Sequence, residues 1–412
     1  TQLNLNNVNF DFQKTQYITL KEMQLSLNNS QPLLSSPIIN GHFQLSDLDW
    51  KKQQETPIAI TNLNADGYFQ LKQHRATSRV NLNQNNLSLG SIDAQYHLKN
   101  KQGNILLDLF NDFSTSQLSH KVEGLKELAE IDQGKIKLSG KINLNKNGVK
   151  PDNLTLSLND LSGQVKAMGF NQLNTQVKFE KFSPLTLSKQ QLTLNNLGDQ
   201  FKINDLITFY QVNDINKIPT LTLDNFKVSL LDGQIKLQKA SINQEISGSF
   251  PIEIHQIDAT RLAQLLQQKG LYVKGKLNGK IPLKLIKKQS VIDNGSIISK
   301  NGILIYNAPD SMQQTLSQNP LTQIVVDALK NYHYTTLEAK INKKPGEKVK
   351  ITTALKGINP QLYDGKRPIH MNIQLDVDDS IFIYALKDFT GKETAQTLLH
   401  VFYPQLFNQE NK

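Results

Sequence analysis

Residues 271 to 285 read LYVKGKLNGKIPLKL, a two-residue alternation that never slips. Leu271, Val273, Gly275, Leu277, Gly279, Ile281, Leu283 and Leu285 fall on one side. Tyr272, Lys274, Lys276, Asn278, Lys280, Pro282 and Lys284 fall on the other. Such alternation specifies a β-strand with one apolar and one wet face. At ~3.3 Å per residue it would run roughly 50 Å, against a usual ~17–20 Å. Its two glycines, moreover, both lie on the apolar side.

The rest of the chain favours the same construction. At 412 residues it could hold about two or three ordinary domains, although large β architectures often stay undivided. A hydrophobic content of 38% and a mean hydropathy of −0.42 are low for a thick core and suit strands that each bury one face. No run of ~18 apolar residues is present, so no segment reads as a membrane-spanning helix. The opening TQLNLNNVNFDFQ already alternates, with no initiator Met, basic n-region or apolar h-region. The expectation is a piece of a longer protein, with any anchor or signal upstream.

The absence of cysteine argues against thiol catalysis, cysteine metal sites and a disulfide framework, and is compatible with an oxidising compartment. The net charge of +10 suits anionic partners, or else lysines on the wet face of a long sheet, where they also discourage edge pairing. The arginines are Arg75, Arg79, Arg261 and Arg367, and the lysines are scattered. Nucleic-acid binders favour clustered Arg with aromatic platforms. The wet-face reading is the better one.

Alternating segments fill the first part of the chain, among them VNFDFQ (8–13), YITLKEMQLSLNN (17–29), HFQLSDLDW (42–50) and SRVNLNQNNLSLG (78–90). Asn, Gly, Asp and Ser occupy the gaps, as turn chemistry prefers. Leu118, Val122, Leu125 and Leu128 then recur at helical spacing after Ser114, Thr115 and Ser116. Further strands follow up to residue 242. A second helix starts at Asp258, with Leu262, Leu265 and Leu266 as its stripe and Gly270 at an αL C-cap position. A third begins at Asn319-Pro320. Strands are expected near 332–341, 348–356 and 368–377, and helices near 380–389 and 392–402. Residues 1–250 read as a repetitive β segment and 251–412 as a C-terminal end with helices, together one continuous unit.

Twice a helix precedes a long glycine-punctuated strand: GKIKLSGKINL after residue 130 and VKGKLNGKIPL after residue 269. Gly134, Gly140, Gly275 and Gly279 thus become candidate strand bends, because glycine inside a strand marks bends or close backbone approach. Long strands bending at similar heights make a gutter: a mostly β, elongated, twisted groove of antiparallel strands, apolar inside, with a few short amphipathic helices. Its lining candidates are Ile136, Leu138, Ile142, Leu144, Leu154, Leu156, Leu158, Leu221, Leu223, Leu277, Ile281, Leu283 and Leu285. Two halves of such a sheet can pack as a filled sandwich, ~10 Å apart, or stay open and hold acyl chains. The low aromatic content of 7% leaves room in the lining, and composition alone leaves both arrangements open.

Catalytic signatures are missing. GKLNGK has three residues between its glycines and Ile281 after the Lys, so it is not a phosphate loop. Asp376, Asp378 and Asp379 lack the glycine and downstream Glu of a calcium loop. The histidines, His333 and His370 among them, are isolated, and neither H-E-x-x-H nor G-x-S-x-G occurs. No enzyme, cofactor or metal is expected.

The last third carries a resemblance. IHQIDATRLAQLL (254–266), KGKLNGKIPL (274–283), NGILIYNAP (301–309), DALKNYHYTTLEAKI (327–341), LKGINP (355–360) and GKRPIHMNIQL (365–375) occur in that order. Over residues 250–390 this series resembles the C-terminal region of YdbH-like proteins, within the AsmA-like group of bacterial envelope proteins. Upstream, only the alternating, Asn-rich texture is similar. The resemblance implies a periplasmic protein of Gram-negative bacteria, inner-membrane anchored, that moves phospholipid along a long β-groove toward the outer membrane. It also implies a small outer-membrane lipoprotein (YnbE-like) adding strands at the C-terminal end. The stretch after residue 390 matches no pattern of the family. The competing expectation is a structural or adhesive envelope protein with a fully packed core.

Overall fold

The computed structural model describes residues 2–12, 16–29, 38–52, 58–84, 87–112, 130–165, 168–198, 203–215, 218–243, 245, 247–265, 270–287, 289–307 and 320–377. Among them run twenty-one strands of one open antiparallel sheet and two α-helices. The mostly β class of long strands with few short helices is thus found. The helices expected near 118–130, 380–389 and 392–402 lie outside the described residues.

The chain divides into two compact units, residues 1–193 with 211–219, and residues 194–210 with 220–412. The first contains β1 (Gln2–Phe12), β2 (Gln16–Asn29), β3 (Ile38–Lys52), β4 (Ile58–Lys72), β5 (Arg75–Gln84), β6 (Leu87–His97), β7 (Gln102–Asp112), β8 (Glu130–Asn145), β9 (Gly148–Val165) and β10 (Met168–Phe182). Each registers with the next in chain order. Strands β11 (Leu185–Leu197), β12 (Ile203–Ile215) and β13 (Ile218–Leu230) contribute residues to both units.

The second unit continues with β14 (Gly233–Asn243), β15 (Gly248–Asp258), α1 (Ala259–Leu265), β16 (Leu271–Lys274), β17 (Lys276–Ile286) and β18 (Gln289–Tyr306). After them come α2 (Pro320–Leu329), β19 (Tyr332–Lys343), β20 (Val349–Ile358) and β21 (Ile369–Val377). Strands β16 and β17 both register with β18, so they are one long strand interrupted only at Gly275. Strand β18 itself runs 18 residues, as does β9.

Such lengths need a way to bend, and the structure repeats one device. Asp47, Asp160, Gln256 and Asn294 sit inside strands with φ of 53°, 50°, 55° and 55°. Each is the second residue of a bulge. Its N–H donates to the Oδ1 of an Asn on the neighbouring strand: Asn64 (3.0 Å), Asn174 (2.8 Å), Asn278 (3.1 Å) and Asn342 (2.9 Å). A bulge kinks the strand and leaves one N–H outside the ladder, and the Asn side chain satisfies it. Asp and Asn tolerate the left-handed conformation better than other side chains. Much of the Asn and Asp expected in turns therefore lies within strands. Asn64→Ala is expected to cost about 1 kcal/mol by urea unfolding. Gln44→Ala, on the same wet face but outside a bulge, should stay within about 0.5 kcal/mol.

Candidate functional site

Directly opposed residues of antiparallel strands share a face, so registers can be chained across the first unit. One row reads Leu5, Met23, Leu45, Ala65, Leu82, Gly90, Leu109, Leu138, Leu156 and Val177, one residue from each of β1 to β10. A second reads Leu3, Leu25, Phe43, Gly67, Val80, Ile92, Leu107 and Gly140. A third passes through Leu27, Gly41, Phe69, Ser78, Ala94, Ile105, Ile142 and Pro151. At ~4.8 Å per strand, the ten-strand row makes an apolar track roughly 43 Å long, perpendicular to the strands.

The opposite face is wet. Its rows carry residues such as Gln24, Gln44, Asp66, Asn81, Ser91 and Asp108 in register. Lys137 pairs with Asp108 at 2.9 Å and Arg79 with Asp93 at 3.7 Å on that face. These exposed pairs are worth little individually, but they mark which side meets water.

Among the described hydrophobic residues of the first unit, only Ala65, Leu154 and Leu161 are buried, and no buried cluster forms there. The two buried clusters both belong to the second unit, and each lies under a helix. Helix α1 covers Leu231, Ile257 and Leu277. Helix α2 places Ala328 and Leu329 against Tyr332, Tyr334, Leu355 and Met371.

Each helix is tied at one of its ends. Asp258 is the N-cap of α1, as its sequence position suggests. Its Oδ1 accepts from the N–H of Thr260 (3.0 Å) and Arg261 (3.1 Å), and its Oδ2 from Lys276 Nζ (3.2 Å). Partial burial works to raise its pKa, but the Arg261 N–H, Lys276 and the Thr260 N–H together hold the carboxyl below its ordinary value. At the other helix, buried Asn359 donates to the carbonyls of Asp327 (3.2 Å) and Ala328 (3.0 Å), closing the α2 C-terminus.

Within each unit, most register partners of the sequence-derived lining residues are apolar residues or glycine. Leu138 opposes Leu109 and Leu156, Ile136 opposes Leu158, and Leu144 opposes Gly103 and Val149. Leu221 and Leu223 oppose Ile242 and Ala240. Ile281 and Leu283 oppose Ile252 and Phe250, and Leu285 opposes Gly248. Leu154 and Leu277 are buried, and the other eleven are half-buried. Leu277 differs from the rest, because α1 already covers it.

The glycines divide by cause. Gly134 (φ 113°) and Gly140 (φ 133°) stand at register shifts between β8 and β9, a backbone that L side chains rarely adopt. Gly275 (φ 150°) makes room for a side chain: a Cβ there would collide with the Tyr334 hydroxyl. Gly279 stays in regular strand, within the row joining Ile254 and Ile297. Sequence reasoning missed the Asn acceptors of the bulges. Their signal is a slip in phase, as in PIEIHQID, where the apolar positions step from Ile252 and Ile254 to Ile257.

No group of His, Asp or Glu among the described residues is placed to hold a metal ion. None of the described helices is long and apolar enough to cross a membrane. Among the described residues of the first unit, the dominant surface is an apolar track whose three rows carry no titratable group. A family model described as YdbH-like, intermembrane phospholipid transport protein YdbH, matches residues 1–378. The chain belongs to the YdbH-like family. The match takes in the upstream strands, where the sequence offered only texture, as well as the C-terminal module. No curated protein and no solved structure matches the chain. Phospholipid transport between membranes, the role for which the YdbH-like family is named, is in keeping with the apolar rows.

Proposed function

We infer that the chain carries phospholipid with its acyl chains laid on the apolar rows and its headgroups in water. The observation that carries this reading is the first unit's apolar face, ten strands wide, on which no buried hydrophobic cluster forms among the described residues. A filled sandwich would bury those Leu, Ile and Val side chains against a facing layer. Lining by Ile136, Leu138, Ile142, Leu144, Leu154, Leu156 and Leu158, and by Leu221, Leu223, Ile281, Leu283 and Leu285, is part of this proposal. Leu277 contributes beside α1, and Gly134, Gly140, Gly275 and Gly279 let strands bend or approach closely.

The chemistry is one of barrier removal. Each methylene exposed to water costs ~0.8 kcal/mol, so a lipid crossing an aqueous space needs continuous apolar cover. A track lacking strong polar anchors holds chains without trapping them, which suits sliding over residence. Family membership supports a periplasmic setting between inner and outer membranes of a Gram-negative cell, with an inner-membrane anchor in the full-length protein. Among the described residues strand β21 registers with β20 alone, which supports a partner that adds strands there, such as a small outer-membrane lipoprotein.

Native mass spectrometry of protein taken from membranes in mild detergent tests the reading. Several phospholipids per chain are expected. A lipid-free mass in repeated preparations would leave the packed structural protein as the better account.

A further inference from the structure

The two sides of the track differ in charge. Because β1 to β10 follow one another antiparallel, the connections β4–β5, β6–β7 and β8–β9 emerge at the same end of the strands. Those ends read LKQHRA (71–76), YHLKNKQG (96–103) and LNKNGVK (144–150). They hold Lys72, Arg75, Lys99, Lys101, Lys146 and Lys150 and not one carboxylate. All of these cations are exposed, and none has an acidic partner among the described residues. The connections at the opposite end, residues 13–15, 53–57, 85–86, 113–129 and 166–167, together mix Lys14, Lys121, Lys126 and Lys166 with Glu55, Glu123 and Glu127.

The cationic end is also apolar at its tips. Leu98 and Val149 stand 48% and 54% exposed. Two neighbouring turns are joined directly, Leu98 N–H donating to the His74 carbonyl at 2.8 Å. Successive hairpins are two strands apart, about 10 Å, so the cations form a row parallel to the apolar rows. Hydrocarbon cover and fixed positive charge thus run side by side.

We propose that this turn rim receives the phosphates of the lipids whose chains lie on the apolar rows, so that headgroups pass along one side of the track and anionic lipids are favoured. This rests on the lipid-carrying reading above. Lysine is a point-charge phosphate partner that does not fix geometry, which fits a moving headgroup better than a bidentate clamp would.

The test offers the protein vesicles of equal phosphatidylglycerol and phosphatidylcholine, and weighs what is bound. A photo-cross-linker at position 138 reports whether lipid occupies the track. The wild type at low salt should load phosphatidylglycerol in excess by on the order of threefold, the scale of one exposed ion pair. The excess should vanish at ~1 M salt, where charges are screened beyond ~3 Å. It should also vanish in the variant Lys99→Gln, Lys101→Gln, Lys146→Gln, Lys150→Gln, which keeps its lipid cross-link at 138. An unchanged excess in that variant, with the cross-link intact, overturns the rim alone. A variant that loads the same lipids but loses sedimentation with intact phosphatidylglycerol vesicles would make the rim a membrane-surface contact, which also overturns it. No lipid at position 138 in either protein overturns the track and the rim together.

Discussion

Replacing Tyr334 with alanine is expected to cost about 4 kcal/mol of folding stability, the upper range for emptying a large buried site. Tyr334 is 2% exposed and lies in the cluster under α2. Its ring and hydroxyl fill the space above Gly275 and Gly302, where a Cβ would collide with them. The hydroxyl donates to the Lys274 carbonyl at 3.0 Å and shares a 2.9 Å hydrogen bond with Ser299 Oγ. One side chain thus pins β16, β18 and β19 together at the break in the long strand. Tyr334→Phe keeps the packing and leaves the Lys274 carbonyl and Ser299 without that partner, for about 1–3 kcal/mol. Urea unfolding of the two variants separates the terms. A loss below about 1 kcal/mol in Tyr334→Ala would mean the cluster does not hold this end of the sheet.

The second large effect falls on transport and leaves the fold nearly untouched. Leu138→Glu puts a carboxylate on the eighth strand of the ten-strand row, between Leu109 and Leu156. Leu138 is only half-buried, so the new charge keeps contact with water when the track is empty. With lipid present it pushes methylenes back into water. Displacing as few as two costs ~1.6 kcal/mol, which exceeds tenfold in binding. Lipid copurifying with Leu138→Glu should therefore fall at least tenfold. Ser157→Glu adds the same charge on the wet face beside Lys137 and should load normally. Equal loading of the two variants would remove the distinction between the faces.

Much of this was legible in the sequence, and what was not has identifiable causes. Alternation fixed the strands at 332–343, 349–358 and 369–377 to within a few residues, because each buries one face and the pattern reports which. The N-cap of α1 was legible because Asp258 is a local signal, whereas the C-cap expected at Gly270 follows residues outside the described ones. Pro320 likewise marked α2. The bulges were not, since a bulge is defined by two strands and each sequence segment shows only half of it. Asn64 and Asp47 are seventeen residues apart, and neither looks unusual alone. Leu277 looked like any other lining residue, because its alternation is the same as that of Ile281 and Leu283. Only the return of α1 over that part of the face separates it from them. The reason for Gly275 was hidden in the same way, in a tyrosine 59 positions away.

We infer that the apolar rows of the first unit hold lipid. Photo-cross-linkers at positions 137 and 138 test it most directly, because adjacent residues of β8 face opposite sides of the sheet. Irradiated in membranes and weighed intact, the protein should gain a phospholipid mass at position 138 and none at 137. Protein-only adducts at 138, or lipid captured equally at both positions, would contradict it.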